Sequence, residues 1–202
     1  MNILNKLAIV IICLYASDSL IARPISWSGG STFMYKTNSM ISSYFYHYSP
    51  TYKYSIGGEY VDDKYFNSKY FNIRGTYLLD RTNTKLSQKN LYITAALSTK
   101  ESDNFYSGIH GDWETRRVYT SFSHIYKHTR DRDYSESELQ FGIAPYLGEY
   151  NELHSWAMIK AKKDTINDNW DVYPFVKIFK GDFLLEMGTK NSHWDVHYML
   201  RF

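Results

Sequence analysis

The chain has 202 residues, with 23 basic against 21 acidic side chains and a net charge of +2, a balance that excludes a polybasic nucleic-acid arm or an acidic tail. A mean hydropathy of −0.46 excludes a bundle of transmembrane helices. Yet 20 Tyr, 11 Phe and 5 Trp bring aromatics to 18%, a combination that a β-barrel tolerates because its strands alternate apolar and polar residues.

Residues 1–22 read as a cleaved secretory signal peptide. Lys6 supplies the positive start, Leu7 to Ala16 the apolar run, and Ala16, Ser17, Ser19 and Ala22 the small residues near a cleavage point. An uncleaved anchor helix is the alternative. The one cysteine, Cys13, falls inside this segment. Processing therefore removes any disulfide, zinc–thiolate site or cysteine nucleophile.

After residue 30 the recurring pattern is period-2 alternation over about ten residues, broken by turn residues. A first strand is placed near Met40 to Ser49. Tyr52, Tyr54, Ile56 and Tyr60 then share one face, opposite Lys53, Ser55 and Glu59. Phe71, Ile73, Tyr77 and Leu79 oppose Asn72, Arg74 and Thr76. Leu91, Ile93, Ala95 and Leu97 follow. Val118, Phe122, His124 and Tyr126 oppose Arg117, Tyr119, Ser121 and Ser123; Leu139, Phe141 and Ile143 oppose Glu136, Glu138 and Gln140. Ala157, Ile159 and Ala161 oppose Lys160 and Lys162; Val176 and Ile178 oppose Lys177; Leu185 and Met187 oppose Glu186. The last segment is the clearest, with Trp194, Val196, Tyr198, Leu200 and Phe202 on one face and His193, Asp195, His197, Met199 and Arg201 on the other. Ser49-Pro50, Asp62-Asp63, Asp80-Arg81, Asn167-Asp168, Gly181-Asp182 and Asn191-Ser192 supply turn chemistry. The expected fold is an all-β, antiparallel up-and-down barrel of about ten strands, with eight or twelve also compatible.

Two architectures share this pattern. A soluble, lipocalin-like barrel puts the apolar face inside; a transmembrane barrel puts it outside. The polar face carries both signs: Lys53, Glu59, Arg74, Arg117, Glu136 and Glu138, then Lys160, Lys162, Lys177, Glu186 and Arg201. Such a set can form an ion-pair network in a narrow lumen. Export, alternation and a final strand with Trp194, Val196, Tyr198, Leu200 and Phe202 at alternate positions point to the transmembrane arrangement. This ending resembles the C-terminal assembly signal of small outer-membrane β-barrel proteins of Gram-negative bacteria. Residues 26–30 and 47–54 also resemble uncharacterised proteobacterial envelope proteins. The resemblance implies outer-membrane lipids and the barrel assembly machinery as partners. It implies no activity. Residues 39–202 then form the barrel, and residues 23–38 a periplasmic tail or a plug. Aromatics near strand ends, among them Tyr44, Tyr60, Tyr70, Trp113, Tyr134 and Trp170, would sit at the membrane–water borders.

No cofactor, oligomeric state or catalytic group is indicated. A copper or zinc site on His193 and His197, with Asp195 between, is the speculative option, since neighbouring positions lie ~7 Å apart along a strand. Ser121 or Ser123 with His124 and His128 would suit a lipid hydrolase, but no Gly-x-Ser-x-Gly occurs. The expected function is non-enzymatic: a structural role or small-solute passage. A lipid-modifying enzyme and a soluble binding barrel are the alternatives.

Overall fold

The computed structural model describes residues 24–99, 104–130, 132–147, 152–190 and 192–202. The signal-peptide reading of residues 1–22 lies outside them. Alternating sequences can pair every backbone group only with a neighbouring strand, and here the pairing closes on itself. Twelve antiparallel strands form one barrel: β1 (Gly30–Thr37), β2 (Ile41–Thr51), β3 (Tyr54–Asp63), β4 (Ser68–Asn83), β5 (Ser87–Ser98), β6 (Phe105–Thr115), β7 (Val118–His128), β8 (Tyr134–Ile143), β9 (His154–Asp164), β10 (Trp170–Lys180), β11 (Phe183–Lys190) and β12 (His193–Arg201). Sequence neighbours are wall neighbours, and β1 pairs with β12 to shut the ring, Thr32 opposite Arg201 and Thr37 opposite Val196. Both ends of the described chain therefore meet at one rim, called here the terminal rim.

Local chemistry explains the corners. The Asn38 side chain accepts hydrogen bonds from the Met40 and Ile41 amides and turns β1 into β2. Gly181, at φ +56°, starts the two-residue turn Gly181–Asp182 between β10 and β11. A bulge at Leu78/Asp80 shifts the β4–β5 register, so that Arg81 rejoins the inner face opposite Asn90.

The twelve strands found are the upper of the counts that the alternation allows, two more than the favoured ten. One addition is β1, which takes residues 30–37 of the expected tail or plug into the wall. The other is β6, whose alternation is blurred by polar residues and glycine on both faces: Tyr106, His110 and Asp112 on one, Ser107 and Gly111 on the other.

Exposure decides which face is which. Tyr44, Tyr46 and Tyr48 on β2, Phe71, Ile73 and Tyr77 on β4, and Leu139, Phe141 and Ile143 on β8 are all exposed. Their alternating neighbours Ser43, His47 and Ser49, and Asn72 and Thr76, are buried. Polarity is thus inverted relative to a soluble barrel, and a lipocalin-like arrangement is excluded. Tyr70 and Tyr134, expected at the outer borders, instead line the interior, where Lys127 lies 5.1 Å from the Tyr134 ring centre. The interior is not wholly polar. Met34, Phe45, Trp156, Phe175, Leu184 and Met199 pack into a buried apolar cluster drawn from β1, β2 and β9–β12.

The outward side chains of β12 also sew the closure. Tyr198 sits between Phe33 of β1 (6.5 Å) and Phe183 of β11 (5.4 Å), and Phe202 approaches Tyr46 of β2 (6.4 Å).

Ile73, 53% exposed in the middle of β4, tests the inversion. Replacing it by arginine is expected to destabilise the barrel folded in lipid vesicles by ~2–4 kcal/mol, read by urea unfolding. The same change in a soluble barrel would be nearly neutral.

Candidate functional site

The inward face holds the chemistry. A cavity of about 250 Å³ runs along the lumen from Thr37 and Lys127 to Pro24. Its walls are crossed by ion pairs between strands. Arg74 of β4 meets Glu59 of β3 at 3.5 Å, and Tyr106 of β6 donates to the same carboxylate at 2.7 Å. Lys127 of β7 and Lys162 of β9 converge on Glu136 of β8 at 2.5 and 3.6 Å. Lys160 reaches Asp195 of β12 at 3.0 Å and Glu138 at 3.9 Å, and Tyr173 also donates to Asp195. Glu186 of β11 takes Lys177 of β10 at 3.4 Å and His197 at 3.1 Å. Cations also rest on rings: Lys177 lies 3.6 Å from the Tyr119 ring centre, the Arg74 guanidinium 4.2 Å from that of Phe45, and Lys160 4.8 Å from that of Phe175.

Most of the expected lumen residues are therefore brought together: Glu59, Arg74, Glu136, Glu138, Lys160, Lys162, Lys177 and Glu186 all line the cavity. Arg201 faces inward at the terminal rim, where it binds Asp182 at 3.1 Å. Two do not belong. Lys53 lies in the β2–β3 turn and Arg117 in the β6–β7 turn, both exposed. Period-2 counting carried them past the ends of their strands. Lys36, Tyr106 and His110 also belong to this inner set; alternation does not mark them, because β1 is short and β6 is polar on both faces.

The metal option fails on geometry. His193 stands exposed at the far rim, Asp195 is engaged by Lys160 and Tyr173, and His197 Nδ1 donates to Glu186. Among the described residues no group of three His, Cys, Asp or Glu is placed to hold a metal. The hydrolase option also separates: Ser121 and Ser123 line the lumen, whereas His124 points outward and meets Ser137 at 2.9 Å.

Residues 24–29 close over the terminal mouth. The Ser26 amide donates to Ser49 Oγ (3.0 Å), Ser28 Oγ donates to the Pro50 carbonyl (3.0 Å), and the Gly29 amide donates to the Ser49 carbonyl (2.8 Å). Ile25 is buried against Leu78 and Tyr92, and Arg201 lies 5.4 Å from the Trp27 ring centre. Pro24 forms part of the cavity floor.

At the far rim the β7–β8 loop is tied by Asp133, which accepts from Tyr126 at 2.7 Å and contacts His128 at 2.6 Å. The hydroxyl of Tyr126, and then His128, hold the Asp133 carboxyl below its ordinary value of 3.8.

No protein-family model matches the sequence, and no curated protein matches it. Solved structures do resemble its fold. A KdgM porin aligns over 86% of this chain and 98% of its own, with a TM-score of 0.52 and 8% identity. A KdgM porin in complex with disordered oligogalacturonate aligns over the same shares, with a TM-score of 0.51 and 8% identity. At 8% identity the likeness is one of fold: this chain closes into a barrel like that of these porins.

Buried and exposed ion pairs should separate in energy. Glu186→Gln leaves Lys177 charged and without a carboxylate, and is expected to cost about 3–5 kcal/mol in unfolding from detergent micelles. Lys69→Gln removes the exposed pair with Asp62 (3.7 Å) and is expected to cost under about 1 kcal/mol. Equal costs would contradict the buried network. The Asp133 tie carries a pH signature. A depressed carboxyl stabilises the loop above its unfolded value and loses that contribution as pH falls through the folded value. The Tyr126 ring resonances should therefore shift below pH 3.8, and Asp133→Asn should abolish the transition.

Proposed function

We propose that the chain is an outer-membrane barrel of a Gram-negative bacterium that passes small hydrophilic solutes through a narrow, charged lumen without catalysis. It reaches that membrane by export through a cleaved signal peptide and insertion by the barrel assembly machinery, with lipid as its outer solvent. The observation that carries this reading is the inverted polarity. An exposed apolar wall of Tyr, Phe, Ile and Leu surrounds an interior of paired Lys, Arg and Glu. Strands of 10 to 12 residues, such as β3, β5, β7 and β9, have the length that a tilted membrane strand requires. The porin fold of the structural neighbours supports the same reading.

The lumen is tight. Its cavity of about 250 Å³ is smaller than an ordinary ligand pocket of about 300–1,000 Å³. Ion pairs span its walls and residues 24–29 cover its terminal mouth. Passage is therefore slow and restricted to small solutes, and residues 24–29 act as a plug. The neighbour's oligogalacturonate is not carried over, because cations and carboxylates are interleaved around this cavity instead of forming a cationic track. The same cross-bracing favours a purely structural barrel as the second reading.

Conductance separates the two. The purified barrel in a planar bilayer is expected to show small discrete current steps, and deletion of residues 24–28 is expected to enlarge them. Silence from both the full barrel and the deletion variant would leave the structural reading and remove the channel.

A further inference from the structure

The charge accounting around the cavity leaves one side chain over. Among the described residues, six Lys or Arg and five Asp or Glu line it. Five of the cations have a carboxylate: Arg74 at Glu59, Lys127 and Lys162 at Glu136, Lys160 at Asp195, and Lys177 at Glu186. Lys36 forms no ion pair with a described residue.

Its position explains why. Lys36 is the last inward residue of β1, following buried Thr32 and Met34 on the same face. Its alternation sends it into the lumen, where it lines the cavity and the residue keeps exposed surface. The charged groups facing it are Arg74, Lys160, Glu138 and Glu186, with His110 and His197 nearby. Both carboxylates are already committed: Glu138 to Lys160 and Gln140, Glu186 to Lys177 and His197. An ammonium in a confined cavity with no fixed partner draws a mobile counter-ion.

We propose that Lys36 is a binding post for one small monovalent oxyanion, such as the carboxylate of a small organic acid, and that it biases passage toward anions. The flanking Glu138 and Glu186 limit the site to a single negative charge. A second carboxylate on the same solute would meet one of them at close range. The site would thus discriminate against polyanionic chains while accepting a monocarboxylate. This inference rests on the channel reading for its effect on passage, but not for binding.

The experiment uses the full exported barrel, with Lys36→Gln and Lys36→Glu as variants. Because Lys36 has no ion pair to lose, both variants are expected to retain heat-modifiable gel migration. In a potassium chloride gradient the reversal potential of the parent is expected on the anion side. It should move to zero in K36Q and change sign in K36E. Independently of conduction, the parent in micelles is expected to enhance the NMR relaxation of ¹³C-acetate. K36Q should abolish the enhancement, and trigalacturonate should fail to displace the acetate. If K36Q keeps the parental reversal potential and acetate relaxation, the proposal is overturned. Displacement by trigalacturonate at concentrations below those of acetate would overturn the single-charge limit. A silent barrel whose acetate relaxation still depends on Lys36 would reject the channel and retain the site.

Discussion

Closure of the barrel by β1 against β12 is the constraint on which everything else depends. Once the ring is shut, the wall strands pair on both edges and leave no open sheet edge for water to satisfy. Every residue of the wall then has only two possible environments, set by the parity of its position. Phe33 and Tyr35 go out while Thr32, Met34 and Lys36 go in, and the same rule holds around the ring. The seam is reinforced where it matters, with Tyr198 wedged against Phe33 and Phe183 on the outer side.

A closed ring with a polar interior must still avoid isolated charge. The interior does so by bringing strands distant in sequence together: Tyr106 of β6 reaches Glu59 of β3, and Lys160 of β9 reaches Asp195 of β12. These contacts brace the lumen and narrow it at once. Under the proposed channel function, stability and restricted passage are two consequences of one network. The apolar cluster around Phe45, Trp156 and Phe175 fills the remaining interior volume where no charge is available.

Much of this was legible from parity alone. The faces of β12 follow from five apolar residues at alternate positions, and the Glu136, Glu138, Lys160 and Lys162 cluster follows from β8 and β9 being sequence neighbours. Pairing of specific charges was not legible, because the partner of Lys160 lies 35 residues away on β12, three strands from β9 around the wall. β1 was hidden because eight residues between a glycine pair and an Asn turn look like a leader to the first long strand. β6 was hidden because Ser107 and Gly111 stand outward where an apolar residue is expected, against Tyr106, His110 and Asp112 inward. Lys53 and Arg117 show the opposite error: alternation has no internal marker for the residue at which a strand becomes a turn.

The central claim is the assignment of faces: apolar side chains to lipid, polar ones to a water-bearing lumen. Spin labels placed singly from residue 71 to residue 77 in vesicle-reconstituted barrel test it most directly. Collision with membrane-dissolved oxygen is expected to peak at Phe71, Ile73, Gly75 and Tyr77 and to fall at Asn72, Arg74 and Thr76. The reverse phase, or no alternation at all, would contradict the account.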